Sequence, residues 1–371
     1  MHPDEIADAH QQRLIAISTA ATNRALSLWR QMDFTALDAS WNRIEPALTQ
    51  RVDAAQLTAA KAADTYTAKL SSSYGFAADD SRIIPESFVG VDGSGRSTST
   101  LLRGSVTTTK EAIGAGLGRR EAMHAGAVYL TAMLKTALAD LGRSADLTSS
   151  AGKGYTRYVR VVEPGACSRC IILAGATQFR PFKRHPACRC TCQPLPKGQD
   201  FGKSPEEIFE EMSDADQDRV FGKAGAQALR DGADMNQVVS ARRGAKGIGY
   251  SYRTPTGAQW NRMQKTTIGF RPDGAPVRVY TTTEGATARG QFGRTSAGRV
   301  RLMPESIIEI AGDDTALRQA FLRDAGYLQY RPRSGYSVPT SQWTREIEDQ
   351  RRADRILVNR ATLRYGNFTL G

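Results

Sequence analysis

Residues 167–192 read CSRCIILAGATQFRPFKRHPACRCTC. They hold all five cysteines of a 371-residue chain and the only histidine beyond His124. Cys167 and Cys170 form a C-x-x-C pair, and His185, Cys188, Cys190 and Cys192 follow within HPACRCTC. A C-x-x-C sets two sulfurs on one tight turn. A second short ligand group, returned by a hairpin, then closes a tetrahedron around zinc. The intervening AGATQFRPFKR suits such a hairpin. Four ligands are to be drawn from six candidates: Cys167, Cys170, His185 and one or both of Cys188 and Cys190 are favoured, with Cys192 last. Alternate residues of an extended strand share a face, which would bring Cys188 and Cys190 to one side. A C-x-x-C alone would fit buried reduced thiols or a redox pair equally well; H-x-x-C-x-C beside it favours a metal. Without an H-E-x-x-H or a spare nearby histidine, the site is expected to be closed and structural.

Upstream, GYTRYVRVVEPGA carries Tyr155, Tyr158, Val159, Val161 and Val162, so a strand is expected to run into the first cysteine pair. Residues 4–70 read as helix, with Ile6, Ala9, Leu14, Ile17, Ala21, Leu26 and Trp29 at helical spacing and Pro46 starting a second helix or kinking the first. The stripe Ile6, Ile17, Trp29, Leu37, Leu48 is expected to be core, with docking on a larger assembly as the other use. Residues 71–104 read as a Ser/Gly/Asp-rich connection. A helical block follows over 105–142, capped by Ser105 or a following threonine and ended by Gly142. Downstream, Ser204, Pro205 and Glu207 signal a helix start, and a further helix is expected from Ser213 to Asp231. Residues 244–300 read as an extended or hairpin region, and two helical segments close the chain at 303–327, broken near Gly312, and 340–366.

The formal net charge is +12, unevenly spread. Residues 1–70 carry seven Lys/Arg against eight Asp/Glu; 153–203 carry ten against two, and 242–301 twelve against two. Such segments suit sequence-blind contact with DNA phosphates, or reflect a general basic bias. No apolar run approaches the roughly 20 residues of a membrane span. The polar, acidic start MHPDEIADAHQQR is unlike a secretory leader. The chain is therefore expected in a reducing cytosol, where clustered cysteines bind metal more often than they pair.

Other motifs carry less. GQDFGKS (198–204) lacks the Walker spacing and a preceding strand. GAGLGR (114–119) lies in a helical block and reads as packing glycine. A Ser–His protease needs a histidine outside the cysteine cluster; His2 and His10 lie at an N-terminus expected to fray, His124 lies in a helix, and no G-x-S-x-G elbow is present. Glu346 and Glu348 in REIED have the spacing of an ADP-ribosyltransferase pair but sit in an expected charged helix. No catalytic residue is assigned.

The run EPGACSRCIILAGATQF…HPACRC resembles the cysteine core of the Mu F-like head morphogenesis, or minor capsid, proteins of tailed bacteriophages, with Ala174, Gly175 and Phe179 in the places that follow its first pair. GADMNQVVSARRG, TTEGATARG and RLMPESIIEIAGDD are similar to the rear portion of such proteins from actinobacterial phages. The resemblance implies a non-enzymatic virion protein at the capsid interior or portal vertex, assembled in the host cytoplasm with portal or major capsid protein. The alternatives are a capsid maturation protease and a nucleic-acid-binding zinc protein outside the virion. The expected fold is mainly α with a small central zinc-stabilised α+β module and a Gly/Arg-rich extended segment. Its expected parts are 1–145 helical, 146–200 the zinc module, and 201–371 helical with a long loop at 244–300. The expected ligands are Cys167, Cys170, His185, Cys188 and Cys190, with structural zinc, non-specific DNA contact and no membrane.

Overall fold

The computed structural model describes residues 1–76, 81–179, 182, 188–199, 202–242, 266–270, 276–282, 301–331 and 339–365. They are mainly helical and form two compact units, one built mainly from Met1–Ala166 and Leu173–Pro205, the other mainly from the chain beyond Glu206.

The first unit is a bundle of four long helices: α1 (Pro3–Trp29), α2 (Leu37–Ser73), α3 (Thr98–Gly114) and α4 (Arg119–Gly152). The N-terminus does not fray. His2 accepts from the Asp4 N–H while its own N–H donates to Glu5, a reciprocal cap ahead of Pro3. The break between α1 and α2 falls at residues 30–36, where the Asp33 carboxylate accepts from the Thr35 N–H at 2.9 Å. Pro46 instead lies inside α2. An interior proline costs about 3 kcal/mol, and burial of Trp41, Ile44 and Leu48 on either side of it outweighs that cost.

The expected start and end of the next helical block are both corrected. Helix α3 begins at Thr98, capped by Ser97 through the Thr100 N–H at 3.2 Å; Ser105 is buried within it and donates to the Leu102 carbonyl. The glycines of 114–118 mark the turn between helices: Gly114 is the last residue of α3, Gly116 has φ +82°, and Gly118 is the N-cap of α4. Gly142 does not end α4 but lies within it, where a Cβ would come within 2.9 Å of Leu14. The expected boundary at 145/146 likewise falls inside α4.

The core of this unit is graded. Trp29, Trp41, Leu48, Leu102, Leu130 and Leu134 fill one level, while Leu14, Ala59, Ala60, Ala63, Leu141 and Ala145 allow a closer approach at the next. At the third level, Ile6, Ala7, Tyr66 and Leu70 meet Val161 of a strand. Of the apolar stripe, Ile6, Trp29, Leu37 and Leu48 are buried and Ile17 is partly buried, so it is core.

Strand β1 (Arg157–Val161) pairs antiparallel with β2 (Thr191–Leu195), Tyr158 opposite Pro194 and Arg160 opposite Cys192. Tyr158 exchanges both backbone hydrogen bonds with Gln178 on its other edge. The Tyr158–Pro194 pair is therefore a non-hydrogen-bonded one, and the missing proline N–H costs the ladder nothing. The α1, α2 and α4 helices cover the strands and supply donors to backbone carbonyls. Gln11 donates to Val161 at 2.8 Å, Tyr66 to Cys192 at 2.9 Å and Tyr74 to Pro194 at 2.9 Å.

In the second unit, helices begin at Pro205 and, under a Ser213 cap, at Asp214. The helix expected through Asp231 is two, Asp214–Phe221 and Lys223–Arg230, split where Gly222 takes φ +73°. Met235–Ala241, Pro304–Ala311, Thr315–Asp324 and Thr340–Tyr365 complete its helices among the described residues. Gly312, at φ +55°, makes the expected break. Two pairs join elements, Arg318 with Asp231, buried, and Arg323 with Asp354, partly buried, each at 2.7 Å. Within the expected extended region, Thr266–Phe270 pairs with Pro276–Val279, and Thr281–Thr282 with Arg301–Leu302. Glu346 and Glu348 lie on a helix rather than a strand, and most of GQDFGKS flanks residues outside the description.

Candidate metal centre

Chain direction and cap geometry set up the centre. β1 ends at Val161, a turn follows, and Cys167 caps the short helix Ser168–Ile171, its carbonyl accepting from the Cys170 N–H at 2.9 Å. That single turn buries Cys170 and leaves Cys167 only partly covered. Cys188 and Cys190 lie just ahead of β2 and are fully buried. The sulfurs of Cys170, Cys188 and Cys190 lie within 4.8 Å of one another. A tetrahedral zinc with bonds of about 2.3 Å holds its sulfurs about 3.8 Å apart, so a movement of about 1 Å would bring three thiolates onto one ion. This buried three-cysteine group can hold a metal.

The expected ligand set is thus brought together in part. Cys170, Cys188 and Cys190 meet, although Cys188 and Cys190 precede β2 rather than lying in a strand. Cys167 does not join their group. His185 lies outside the described residues. Cys192 is buried in β2 with its carbonyl occupied by Tyr66. Burial, with Asp146 nearby, pushes the Cys192 thiol well up, and Cys192 is not part of the three-sulfur group.

Several side chains around the centre carry no sequence motif. Arg143 of α4, 3% exposed, donates to the Cys188 carbonyl at 3.1 Å and the Cys190 carbonyl at 2.8 Å, and is clamped by Asp140 one turn before it. Arg160 of β1, 2% exposed, donates from Nη1 to the Cys188 sulfur at 4.0 Å. Phe182 lies against both guanidiniums and stacks on Tyr158. Burial pushes the Tyr158 phenol up to about 12, with Cys192 adding to it.

The placement of His10 is also a correction. It is buried in α1, its Nε2 is 2.9 Å from Asp146 Oδ1, and its ring stacks on Tyr66. A signal for it exists in the sequence: His10 stands four residues after Ile6 and four before Leu14, on the apolar face.

No protein-family model, curated protein or solved structure matches this chain. Among the described residues, no helix is long and apolar enough to cross a membrane.

Proposed function

We propose that this chain is a minor capsid protein of a tailed phage, in which a structural zinc closes the cysteine module and the helical bundle carries it into the assembling head. The observation that carries the reading is the convergence of Cys170, Cys188 and Cys190 in a buried group within the C-x-x-C…H-P-x-C-R-C run that resembles the Mu F-like core. Zinc suits the donors better than a hard cation, because thiolates select soft or borderline metals. His185 or Cys167 would supply the fourth bond, leaving no open position for catalysis.

Portal or major capsid protein is the proposed partner, with the basic segments 153–203 and 242–301 facing packaged DNA. Such contact would be electrostatic, and its affinity would fall steeply as salt rises. Mass spectrometry of purified virions and proheads tests the assignment: the chain is expected in both at low copy, and its absence from both rejects it. Duplex binding that prefers one sequence and survives high salt would instead support the zinc protein acting outside the virion.

A further inference from the structure

We propose that Arg160, locked by Phe182 and seconded by Arg143, is the charge-compensating residue of the thiol centre and sets its affinity for a thiolate-bound dication. This rests on the metal reading above and goes beyond it, because neither arginine belongs to the cysteine motif.

Arg160 of β1 reaches Cys188, just ahead of β2, and donates to its sulfur at 4.0 Å from a position only 2% exposed. A guanidinium keeps its charge under all folding conditions and favours thiolate over thiol. Three thiolates around a dication leave one negative charge, whether the fourth ligand is a neutral imidazole or absent; a fourth thiolate leaves two. In a buried site that residual charge needs a nearby cation.

The Phe182 ring centroid lies 3.8 Å from the Arg160 guanidinium carbon and 4.9 Å from that of Arg143. One aromatic ring thus holds two cations against the same short stretch of chain. The arginines divide the work. Arg143 holds the Cys188 and Cys190 carbonyls, with Asp140 beside its own charge. Arg160 addresses the sulfur itself.

Zinc affinity of the full chain, measured by competition with a chromophoric chelator, separates charge from shape through two variants. Arg160→Gln keeps a donor without the charge, and Arg160→Lys keeps the charge without the planar fork. The glutamine variant is expected to bind zinc about 10- to 100-fold more weakly than the native chain, with lysine recovering most of the loss. Cobalt bound in place of zinc should show its sulfur-to-metal charge-transfer band displaced in the glutamine variant. Equal affinities for the glutamine and lysine variants overturn the proposal. Should the glutamine variant not fold, Phe182→Leu decides, since it frees both guanidiniums without removing a charge: weakened zinc binding is expected, and native affinity overturns the proposal. A native chain that binds no zinc defeats the metal reading itself, which is a separate outcome.

Discussion

His10 and Tyr66 lie ring on ring, centroids 3.9 Å apart and planes 3° from parallel. The imidazole is 2.9 Å from Asp146 Oδ1, and the phenol donates to the Cys192 carbonyl at 2.9 Å. Asp146, His10, Tyr66 and Cys192 therefore link α4, α1 and α2 to β2 in one buried chain of contacts. Burial pushes the Tyr66 phenol well up, so it serves as a neutral donor. The strand that follows the cysteine cluster is held by helices from far away in sequence.

Breaking this chain should cost more than a surface contact. His10→Ala removes the imidazole from a carboxyl group that is wholly buried, and a loss of about 3 kcal/mol is expected. Tyr66→Phe removes one hydrogen bond and should cost about 1 kcal/mol. Urea unfolding of both variants and of the double variant checks this. The double loss should differ from the sum, because the two rings are in contact.

The cysteines should separate by role. About one zinc per chain is expected in protein purified without chelator. Cys170→Ser and Cys188→Ser should lose metal and, with it, amide protection in β1 and β2, since binding free energy at such a site is largely folding free energy, and whichever of His185→Ala and Cys167→Ser does the same marks the fourth ligand. Cys192→Ala should keep its metal. Elemental analysis with hydrogen exchange reads both effects; a full complement of zinc in Cys188→Ser would remove that residue from the ligand set.

The turn before α3 gives a pH prediction. Burial would raise the Asp92 carboxyl, but hydrogen bonds from Ser94 and Arg96 outweigh it and hold the group down at about 2. A depressed folded value stabilises above the unfolded value of about 3.9, and the contribution fades as pH falls from about 4 towards 2. Exchange at the Ser94 and Arg96 amides, taken relative to its intrinsic rate at each pH, should stay slow at pH 5 and quicken across that window. In Asp92→Asn it should be faster at pH 5 and lose most of this acid dependence.

Removing α1 and α2 should destroy the cysteine module rather than release it. Gln11, Tyr66 and Tyr74 donate to carbonyls of β1 and β2, and a two-stranded sheet is marginal by itself in water. A chain lacking residues 1–74 is expected to show no protected amides in 157–161 or 191–195, even with zinc present. Native-like protection there would show that the module folds independently.

What the sequence determined by itself was local. Helical spacing of apolar residues predicted the helices of 4–70, the β-forming run before Cys167 predicted β1, and the cysteine spacing predicted a ligand set of Cys167, Cys170, His185, Cys188 and Cys190, of which Cys170, Cys188 and Cys190 meet. These signals survive because each depends on neighbours within a few residues. Helix ends were less legible. Pro46 and Gly142 carry breaker signals, yet both sit inside helices, because burial of Trp41 and Leu48 and the close approach of Leu14 outweigh local preference. Only the tertiary structure decided that Cys167 stands outside the group, that His10 is a buried partner of Asp146, and that Arg143 and Arg160 face the cysteines. Those contacts join residues separated by 28 to 136 positions, and a lone polar residue on an apolar helix face does not reveal which distant partner makes its burial tolerable.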